Sequence, residues 1–372
     1  PHFKTMARRY SKNLRSSKTI SFFNKINHVQ SKLRNDTPVD FAFIVHALSR
    51  EDFAKLPGMQ FIKRLPENLA QPLETAVGKI PGFEFGEIRG IVSELNGRSV
   101  RGKIYTLGAT PRVLRQDPAE VAYAKIQKLC ERAANQGAKI IGLGAYTKVI
   151  GDNGVTINNN SPIPVTTGNS LSASATLWGV HDVLNRMQLI KKNKNTNLFK
   201  GRAMVIGATG SIGKVSALLL SRIFEKIVLI APRLERLNAL KFEIKKLSPL
   251  CQVDISTNAN DFAATCDVLL TATSACDSKI VNVAQLKSGC VVCDCSRPLD
   301  FTIEDTKSRP DILIIESGEL HLPGPVEITC NLGLPGKTVY ACLAETALLA
   351  LEERYESFTL GRNIEIDKVK EI

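Results

Sequence analysis

The chain has 372 residues, of which 44% are hydrophobic and 23% charged, and its formal net charge is +13. This balance is typical of a folded protein rather than a low-complexity or fibrous one, and the length exceeds what one ordinary core carries, so two domains are expected. No stretch approaches the ~18 consecutive apolar residues of a membrane-spanning helix, which predicts that the chain has no integral membrane segment.

The excess positive charge lies mainly at the start of the chain. Residues 1–35 contain nine Lys and Arg and no Asp or Glu, which leaves 40 basic and 36 acidic residues for the rest. We predict that residues 1–37 form a basic flexible arm or linker; an organelle transit peptide has the same composition. The balanced body argues against nucleic-acid binding. Nine scattered cysteines indicate a reducing compartment, so a cytoplasmic protein is predicted, or an organellar one if the arm is a transit peptide.

Residues 38–165 are predicted to form an α/β substrate domain. A short apolar run at residues 41–46 is followed by alternating segments at 86–92 and 99–107. Helical periodicity over residues 118–136 then leads into an apolar segment at 138–144, which indicates a helix feeding a strand. Alternation of strands and helices is typical of α/β folds.

Residues 166–336 are predicted to form a Rossmann-type NADP-binding domain. After a helix over residues 170–191, the pattern indicates a buried strand at 203–206, a glycine-rich turn at 207–213, a helix over 214–224 and a strand at 226–230. A dinucleotide-binding βαβ unit has this order. The predicted fold class is therefore α/β, with a Rossmann-type doubly wound parallel sheet and a second α/β domain.

The glycine-rich turn predicts a phosphate-binding site. Gly207 permits a tight turn out of the strand, Gly210 lets the backbone approach a pyrophosphate, and Gly213 lets the helix pack closely on the strand. The start of the helix offers free N–H groups to the phosphates. The other cofactor contacts predicted in this turn are Thr209, Ser211 and Ile212.

The end of the second strand predicts which dinucleotide binds. NAD-binding domains usually place here an acidic residue that accepts hydrogen bonds from a ribose 2′-hydroxyl. This strand instead leads into Arg233 and Arg236, whose guanidinium groups can bind a 2′-phosphate, so the predicted cofactor is NADPH. The alternative is that both arginines only face water at a helix start.

Further cofactor contacts are expected at the carboxyl ends of the later strands, where such sheets bind ligands. The candidates are Thr271, Thr273, Ser274 and Gly318, although ordinary turn chemistry would also explain each of them.

Three cysteines, Cys290, Cys293 and Cys295, have the spacing of a metal knuckle. They span an apolar, strand-like stretch, and no second ligand pair stands at zinc-finger spacing. We interpret them as structural thiols and predict no metal site.

Residues 337–372 are predicted to form a C-terminal helical segment with a candidate nucleophile. Thr338 is expected to cap the helix, which places Cys342 in its first turn, where free N–H groups favour a thiolate that can attack a thioester. The alternative is that Cys342 is a small core residue, and Glu345 one turn on would disfavour a nearby thiolate. His321 is a weaker candidate, as an acid/base residue, because a histidine near prolines is more often a loop residue.

Segments across residues 40–372 resemble, in the same order, the long-chain acyl-[acyl-carrier-protein] reductases of cyanobacteria, which make fatty aldehydes from acyl thioesters with NADPH. The segments are residues 41–49, 143–150, 166–169, 205–213, 340–345 and 358–363. In that family the cysteine at the position of Cys342 is the acylated nucleophile. The resemblance implies this role for Cys342, with an acyl carrier protein or coenzyme A thioester as partner. The residues that it places along the substrate cleft are Tyr146, Thr147, Thr167, Gly168 and Asn169.

The chain departs from that family in two places. Residues 294–297 stand where the family typically has a paired glycine after the strand aspartate, and residues 321–327 carry unexpected prolines. The predicted reaction is NADPH-dependent reduction of a fatty acyl thioester to a fatty aldehyde through a thioacyl cysteine. A fainter resemblance to shikimate dehydrogenases leaves open an NADP-dependent dehydrogenase of a small oxo or hydroxy acid. A non-catalytic NADP-binding module is the third alternative.

Overall fold

A computed structural model describes residues 38–47, 62, 64–144, 147, 151–274 and 279–372. The predicted arm and the candidate contact Tyr146 lie outside the described residues. No helix in the described ranges is both long enough and apolar enough to cross a membrane.

The first half of the chain builds a mixed sheet of six strands. Its strands are β1 (Phe41–Val45), β2 (Phe83–Val92), β3 (Ser99–Thr106), β4 (Ile140–Leu143), β5 (Val165–Thr166) and the later β13 (Glu327–Ile328). They lie in the order β13-β2-β3-β1-β4-β5. The pairs of β1 with β3 and β4 are parallel, whereas β2 and β13 form an antiparallel edge.

Amphipathic helices cover this sheet. They are α1 (Glu67–Gly78), α2 (Pro111–Gln116), α3 (Ala119–Asn135) and α4 (Val155–Asn160). The buried face of α3 repeats at helical spacing, with Ala122, Ile126 and Leu129 in one core with Ile44 of β1 and Ile141 of β4. The helix predicted over residues 118–136 is confirmed.

The second sheet is parallel throughout and has the Rossmann strand order. Its strands are β6 (Phe199–Ile206), β7 (Phe224–Ile230), β8 (Gln252–Ser256), β9 (Val268–Thr271), β10 (Val291–Asp294) and β11 (Leu313–Glu316), in the order β11-β10-β9-β6-β7-β8. The helices of this half are α5 (Asn169–Met187), α6 (Ser211–Leu220), α7 (Leu234–Leu247) and α8 (Ile303–Ser308). The order reverses between β6 and β9, the switch point where such sheets bind nucleotides. The predicted fold class is confirmed.

The C-terminal segment returns to the first sheet. A short antiparallel pair, β12 (Glu319–His321) with β14 (Thr338–Tyr340), leads into α9 (Ala341–Leu351), and α10 (Ile366–Glu371) ends the chain. Helix α9 packs on the first sheet so closely that a Cβ on Gly142 would lie 2.1 Å from Oγ1 of Thr346. The expected cap at Thr338 is wrong, because this residue pairs with His321 in a strand and the helix begins three residues later.

Candidate active site

One cleft of about 510 Å³ receives residues from both sheets. On the first sheet, Val45 ends β1 and Thr106 ends β3. On the Rossmann sheet, residues 272–274 follow β9, and Ser317 directly follows β11. The cleft therefore lies at the carboxyl ends of both sets of parallel strands, the usual place for a ligand in α/β proteins.

The glycine-rich turn has the geometry of a phosphate cradle. Gly207 has φ +79°, and a Cβ there would lie 2.5 Å from the carbonyl oxygen of Ala272. A Cβ on Gly213 would lie 2.2 Å from the carbonyl oxygen of Gly207, so the helix can pack on the turn only with glycine at this position. Helix α6 begins at Ser211, earlier than predicted, and its first N–H groups lack partners within the helix. Residues 209–212 line the cleft, so this part fits a dinucleotide diphosphate.

Both arginines predicted to select NADPH line the cleft. Arg233 occupies the position before α7, and Arg236 lies in its first turn. Both side chains are exposed, and neither guanidinium has an ion-pair partner among the described residues. They are therefore available to an anionic group of a ligand.

The two threonines predicted at the end of β9 have different environments. Thr273 lines the cleft together with Ser274, and its hydroxyl donates to Asp300 at 2.9 Å. Thr271 is fully buried, and its hydroxyl donates to the same carboxylate. The Thr271 hydroxyl is therefore turned into the protein, and Thr271 is not among the residues that line the cleft, so its cofactor contact stays a prediction.

Asp294 holds the loop in which the chain departs from the family pattern. Its carboxylate accepts backbone N–H groups of Ser296 at 2.9 Å, Asp300 at 2.7 Å and Phe301 at 3.0 Å. Burial raises the pKa of Asp294 to about 6, and the neighbouring Asp300 carboxylate acts in the same direction. Arg297, in the same loop, lines the cleft and forms an ion pair with Glu319 at 2.9 Å.

We expect Asp294→Asn to flatten the pH dependence of stability. Folding raises the pKa of Asp294. Its contribution to the free energy of unfolding is therefore fully present below the unfolded-state pKa of 3.8 and is lost as the pH rises through the folded-state pKa of about 6. From pH 5 to pH 8 the free energy of unfolding of the wild type should fall by about 1 kcal/mol through this group, and that of the variant should not. The variant should also be less stable overall by about 2 kcal/mol, because its amide N–H₂ must face a backbone N–H donor.

Chemical denaturation at the two pH values measures both effects. The matched control is Asp367→Asn, which removes a carboxylate from the first turn of α10 and should keep the wild-type slope. If the free energy of unfolding of Asp294→Asn changed with pH as much as that of the wild type, the prediction would be contradicted.

Cys342 lies where two helix starts meet. It is the second residue of α9, is 7% exposed and lines the cleft. The N–H of Ala341 donates to the carbonyl of Gly318 at 2.8 Å, which ties the start of α9 to the Rossmann sheet. On the other side, a Cβ on Gly168 would lie 2.2 Å from Cα of Cys342. The thiol is thus placed by backbone contacts from both halves of the chain.

Glu345 is directed away from the cleft. Its buried carboxylate accepts the hydroxyl of Thr166 at 2.5 Å and the N–H of Leu171 at 3.0 Å. These bonds tie α9 to the end of β5 and the first turn of α5. Glu345 therefore has structural partners on both carboxylate oxygens and is not among the residues that line the cleft.

The predicted substrate contacts are only partly brought together. Asn169 lines the cleft, and Gly168 packs behind Cys342. Thr147 and Thr167 are fully buried and donate to the carbonyls of Gly144 at 2.5 Å and Thr359 at 3.1 Å. Neither of these two threonines lines the cleft, because both hydroxyls are directed at backbone.

His321 is not among the residues that line the cleft, and its catalytic role stays a prediction. It lies on β12, where side chains alternate between the two faces: Leu320 packs on the core and His321 is exposed. His46 lines the cleft instead, 7% exposed, with Nδ1 2.7 Å from the carbonyl oxygen of Ala47. Its position one residue after a parallel strand is the signal that could have found it.

Other cleft residues had weak or no sequence signals. Arg297 stacks over the ring of Tyr340 at 5.3 Å. Arg362 approaches from the C-terminal segment, next to Asn363, whose side-chain oxygen accepts from Lys214 of α6 at 3.4 Å. The other polar cleft residues that the sequence did not identify are Asn153, Ser172, Ser317 and Asn331.

Residues 202–335 match the family model described as the semialdehyde dehydrogenase NAD binding domain. This match, the strand order and the glycine turn define the class: the segment is a Rossmann-type NAD(P)-binding domain of the oxidoreductase kind. The matched range runs from within β6 through the rest of the Rossmann sheet and includes only the edge strand β13 of the first sheet.

Two curated relatives extend the similarity beyond that domain. Over 302 residues the chain is 30% identical to Aminotransferase PigE of a Serratia species, covering 79% of this chain and 33% of PigE. The chain thus spans about a third of the length of that relative. It is 21% identical over 288 residues to the long-chain acyl-[acyl-carrier-protein] reductase of Synechococcus elongatus, covering 76% of this chain and 82% of that protein. Among solved structures, quinate dehydrogenase from Corynebacterium glutamicum in complex with NAD matches with a TM-score of 0.37 at 12% identity, over 74% of this chain and 87% of that one.

Proposed function

We propose that the chain is an NADPH-dependent reductase of acyl thioesters, which releases a fatty aldehyde through a thioacyl intermediate on Cys342. One observation carries the proposal: Cys342, at a helix N-terminus, lines the same cleft as the glycine-rich turn. The similarity to the Synechococcus reductase supports the choice of substrate.

In the first step, the Cys342 thiolate attacks the carbonyl carbon of the thioester. The new bond joins Sγ of Cys342 to the acyl carbon, and the bond from that carbon to the carrier sulfur breaks. The carrier leaves as a thiolate and takes up a proton equivalent to the one that Cys342 released. N–H groups in the first turn of α9, which have no partner within the helix, are suited to stabilise the tetrahedral oxyanion.

The second half-reaction needs a reductant bound beside the thioacyl group. NADPH bound there would supply a hydride for the acyl carbon on Sγ of Cys342, and the cysteine thiolate would be released as the aldehyde leaves. The glycine-rich turn would hold the diphosphate, and Arg233 and Arg236 would hold the 2′-phosphate. Thr273 and Ser274 line the cleft after β9, on the way from the phosphates to the reacting centre.

The cleft also has an apolar side suited to an acyl chain. Phe83 and Phe85, at the start of β2, both line the cleft. Phe43, Val45 and Leu332 line the same cleft. An aliphatic chain bound there gains roughly 25 cal/mol for each Å² of apolar surface removed from water. The carrier, an acyl carrier protein or coenzyme A, would then lie outside this apolar part.

A substrate panel tests the proposal. The purified chain is mixed with NADPH and acyl thioesters of several chain lengths on acyl carrier protein and on coenzyme A, and the loss of NADPH absorbance is followed. Mass spectrometry should identify the aldehyde, with one free carrier thiol for each NADPH oxidised. Turnover of a small oxo acid without turnover of any thioester, or NADPH binding without turnover of any thioester, would overturn the proposal.

The choice of NADPH over NADH has its own test. We expect the double substitution Arg233→Ala and Arg236→Ala to weaken NADPH binding by roughly 10- to 100-fold, because two charge-assisted contacts to the 2′-phosphate are lost. Binding of NADH, which lacks that phosphate, should change little. Titration of the fluorescence of each reduced cofactor measures both dissociation constants.

Arg222→Ala is the control for loss of positive charge in the same domain, since Arg222 is exposed and is not among the cleft residues. An equal loss for NADH and NADPH in the double variant would show that the arginines do not recognise the 2′-phosphate.

A further inference from the structure

We infer that Asn169 and Ser317 form the binding site for the carboxamide group of the nicotinamide ring and so fix the ring beside Cys342. The inference rests on the nicotinamide cofactor of the proposed function but not on its acyl substrate. It gives a specific task to two side-chain atoms that have no hydrogen-bond partner among the described residues.

The observation is a pair of unpartnered buried atoms in one cleft. Four buried side-chain atoms of the described residues lack a hydrogen-bond partner: Arg98 Nε, Asn169 Oδ1, Ser216 Oγ and Ser317 Oγ. Asn169 is 3% exposed and Ser317 is 6% exposed, and both of these residues line the cleft. Buried polar atoms almost always have hydrogen-bond partners. Two unpartnered atoms in one cleft therefore indicate a ligand that supplies the missing partners.

The residues adjacent in sequence to Asn169 and Ser317 place both unpartnered atoms close to Cys342. Asn169 follows Gly168, whose backbone packs against the backbone of Cys342. Ser317 precedes Gly318, whose carbonyl accepts the N–H of Ala341 at 2.8 Å. Asn169 therefore approaches the nucleophile from α5, and Ser317 approaches it from the end of the Rossmann sheet.

The chemistry of the two atoms matches a carboxamide. Oδ1 of Asn169 is an acceptor that lacks a donor, and a carboxamide N–H₂ group supplies one. The hydroxyl of Ser317 can donate to the carboxamide oxygen, whereas its backbone N–H is already bound to the carbonyl of Asp294 at 2.8 Å. The carboxamide is attached to the ring carbon adjacent to the one that carries the hydride. Binding it between Asn169 and Ser317 would therefore hold the reactive carbon near Cys342.

The other parts of the cofactor already have matching surfaces. The phosphate cradle at residues 209–212 and the arginines at 233 and 236 line the same cleft. Thr273 and Ser274 continue the lining after β9, which leaves the region around Cys342 for the ring. A competing donor is the amide N–H of a pantetheine arm on the acyl carrier, and the experiment separates the two.

The test compares NADPH with its reduced 3-acetylpyridine analogue, in which a methyl group replaces the carboxamide N–H₂ and the carbonyl is kept. Dissociation constants are measured without any acyl substrate. The wild type should bind NADPH roughly tenfold more tightly than the analogue. Asn169→Ala should weaken NADPH binding to the level of the analogue, so that the preference disappears. Ser317→Ala should weaken the binding of both dinucleotides by a similar factor, because both keep the carbonyl.

The control is Ser216→Ala, which removes the same kind of unpartnered buried hydroxyl from α6 outside the cleft and should leave both affinities unchanged. If Asn169→Ala does not fold, Asn169→Leu removes the acceptor while keeping a similar volume.

A wild-type preference for NADPH that persists in the folded Asn169 variant would overturn the inference. So would a variant with unchanged cofactor binding whose defect is confined to the KM of the thioester. A wild type that shows the preference and reduces no thioester would support this inference and contradict the proposed reaction.

Discussion

Cys342→Ser is expected to lower the rate of aldehyde formation from an acyl thioester by roughly 10³-fold or more. A serine hydroxyl has nearly the same shape but is a much weaker nucleophile than a thiolate at neutral pH. Since the substitution adds no atom to the cleft, NADPH should bind to the variant as it does to the wild type. The predicted loss is therefore in kcat and not in cofactor affinity.

Trapping the intermediate tests the role of Cys342 directly. With a labelled acyl thioester and no reductant, the wild type should carry the label on the peptide that contains Cys342, and Cys342→Ser should carry none. The matched control is Cys330→Ser, because burial raises the pKa of the Cys330 thiol to about 12 and its side chain packs in the core of the first sheet. Label on Cys330, or aldehyde formed at the wild-type rate by Cys342→Ser, would contradict the prediction.

The Rossmann half could be predicted because its signals are local. A buried strand, three glycines at fixed spacing and a helix follow one another within about 30 residues, and each glycine has a steric reason that holds wherever the turn occurs. Gly207 and Gly213 show those reasons as close approaches to Ala272 and to each other. The helix bounds were less accurate: α6 ends at Leu220 because Phe224 already begins the next buried strand.

The position of Cys342 relative to the turn could not be predicted from the order of the chain. Its helix follows the Rossmann strands in sequence but packs on the first sheet, through contacts such as that of Thr346 with Gly142. Contacts over such separations leave no periodic pattern in the sequence. The resemblance indicated Cys342 as the nucleophile, whereas the residues around it follow only from the packing.

Two pairs of residues show why strand ends alone are ambiguous. Thr271 ends β9 and Thr273 lies two residues beyond it. Asp300, in a later loop, accepts a hydrogen bond from each of the two hydroxyls. Thr271 is nevertheless fully buried and does not line the cleft. His46 and His321 both stand at strand ends. Only the parallel arrangement around β1, which the sequence does not reveal, directs the first of them to the cleft.

Asn169 does not have the ordinary local role of a helix cap. A residue of this type before a helix commonly caps it, but α5 begins with Asn169 as its first residue and has no side-chain cap. Its carbonyl oxygen has no partner at all among the described residues. The Asn169 side chain therefore does not cap α5, and Asn169 is among the residues that line the cleft.

Gly168→Ala is expected to destabilise the protein by about 3 kcal/mol and to displace Cys342. Gly168 has φ +69°, and the added methyl carbon would lie 2.2 Å from Cα and 2.4 Å from Cβ of Cys342. One of the two helix starts must then move. The carboxylate of Glu345 opposes that movement because it binds both Thr166 and Leu171, on either side of Gly168. Aldehyde formation should therefore fall further than the folded fraction does.

Gly179→Ala is the matched control, since Gly179 lies within α5, the helix that Gly168 precedes, and a Cβ there meets no atom within 4 Å. That variant should be as stable as the wild type or more stable by up to about 1 kcal/mol. Denaturant unfolding measures both stabilities, and the rate at which a small alkylating agent modifies Cys342 reports the displacement of the thiol. If Gly168→Ala were as stable and as active as Gly179→Ala, the contact between Gly168 and Cys342 would not position the nucleophile. If it is unstable and its thiol is displaced, the glycine between Thr167 and Asn169 is required because no side chain fits between α5 and Cys342.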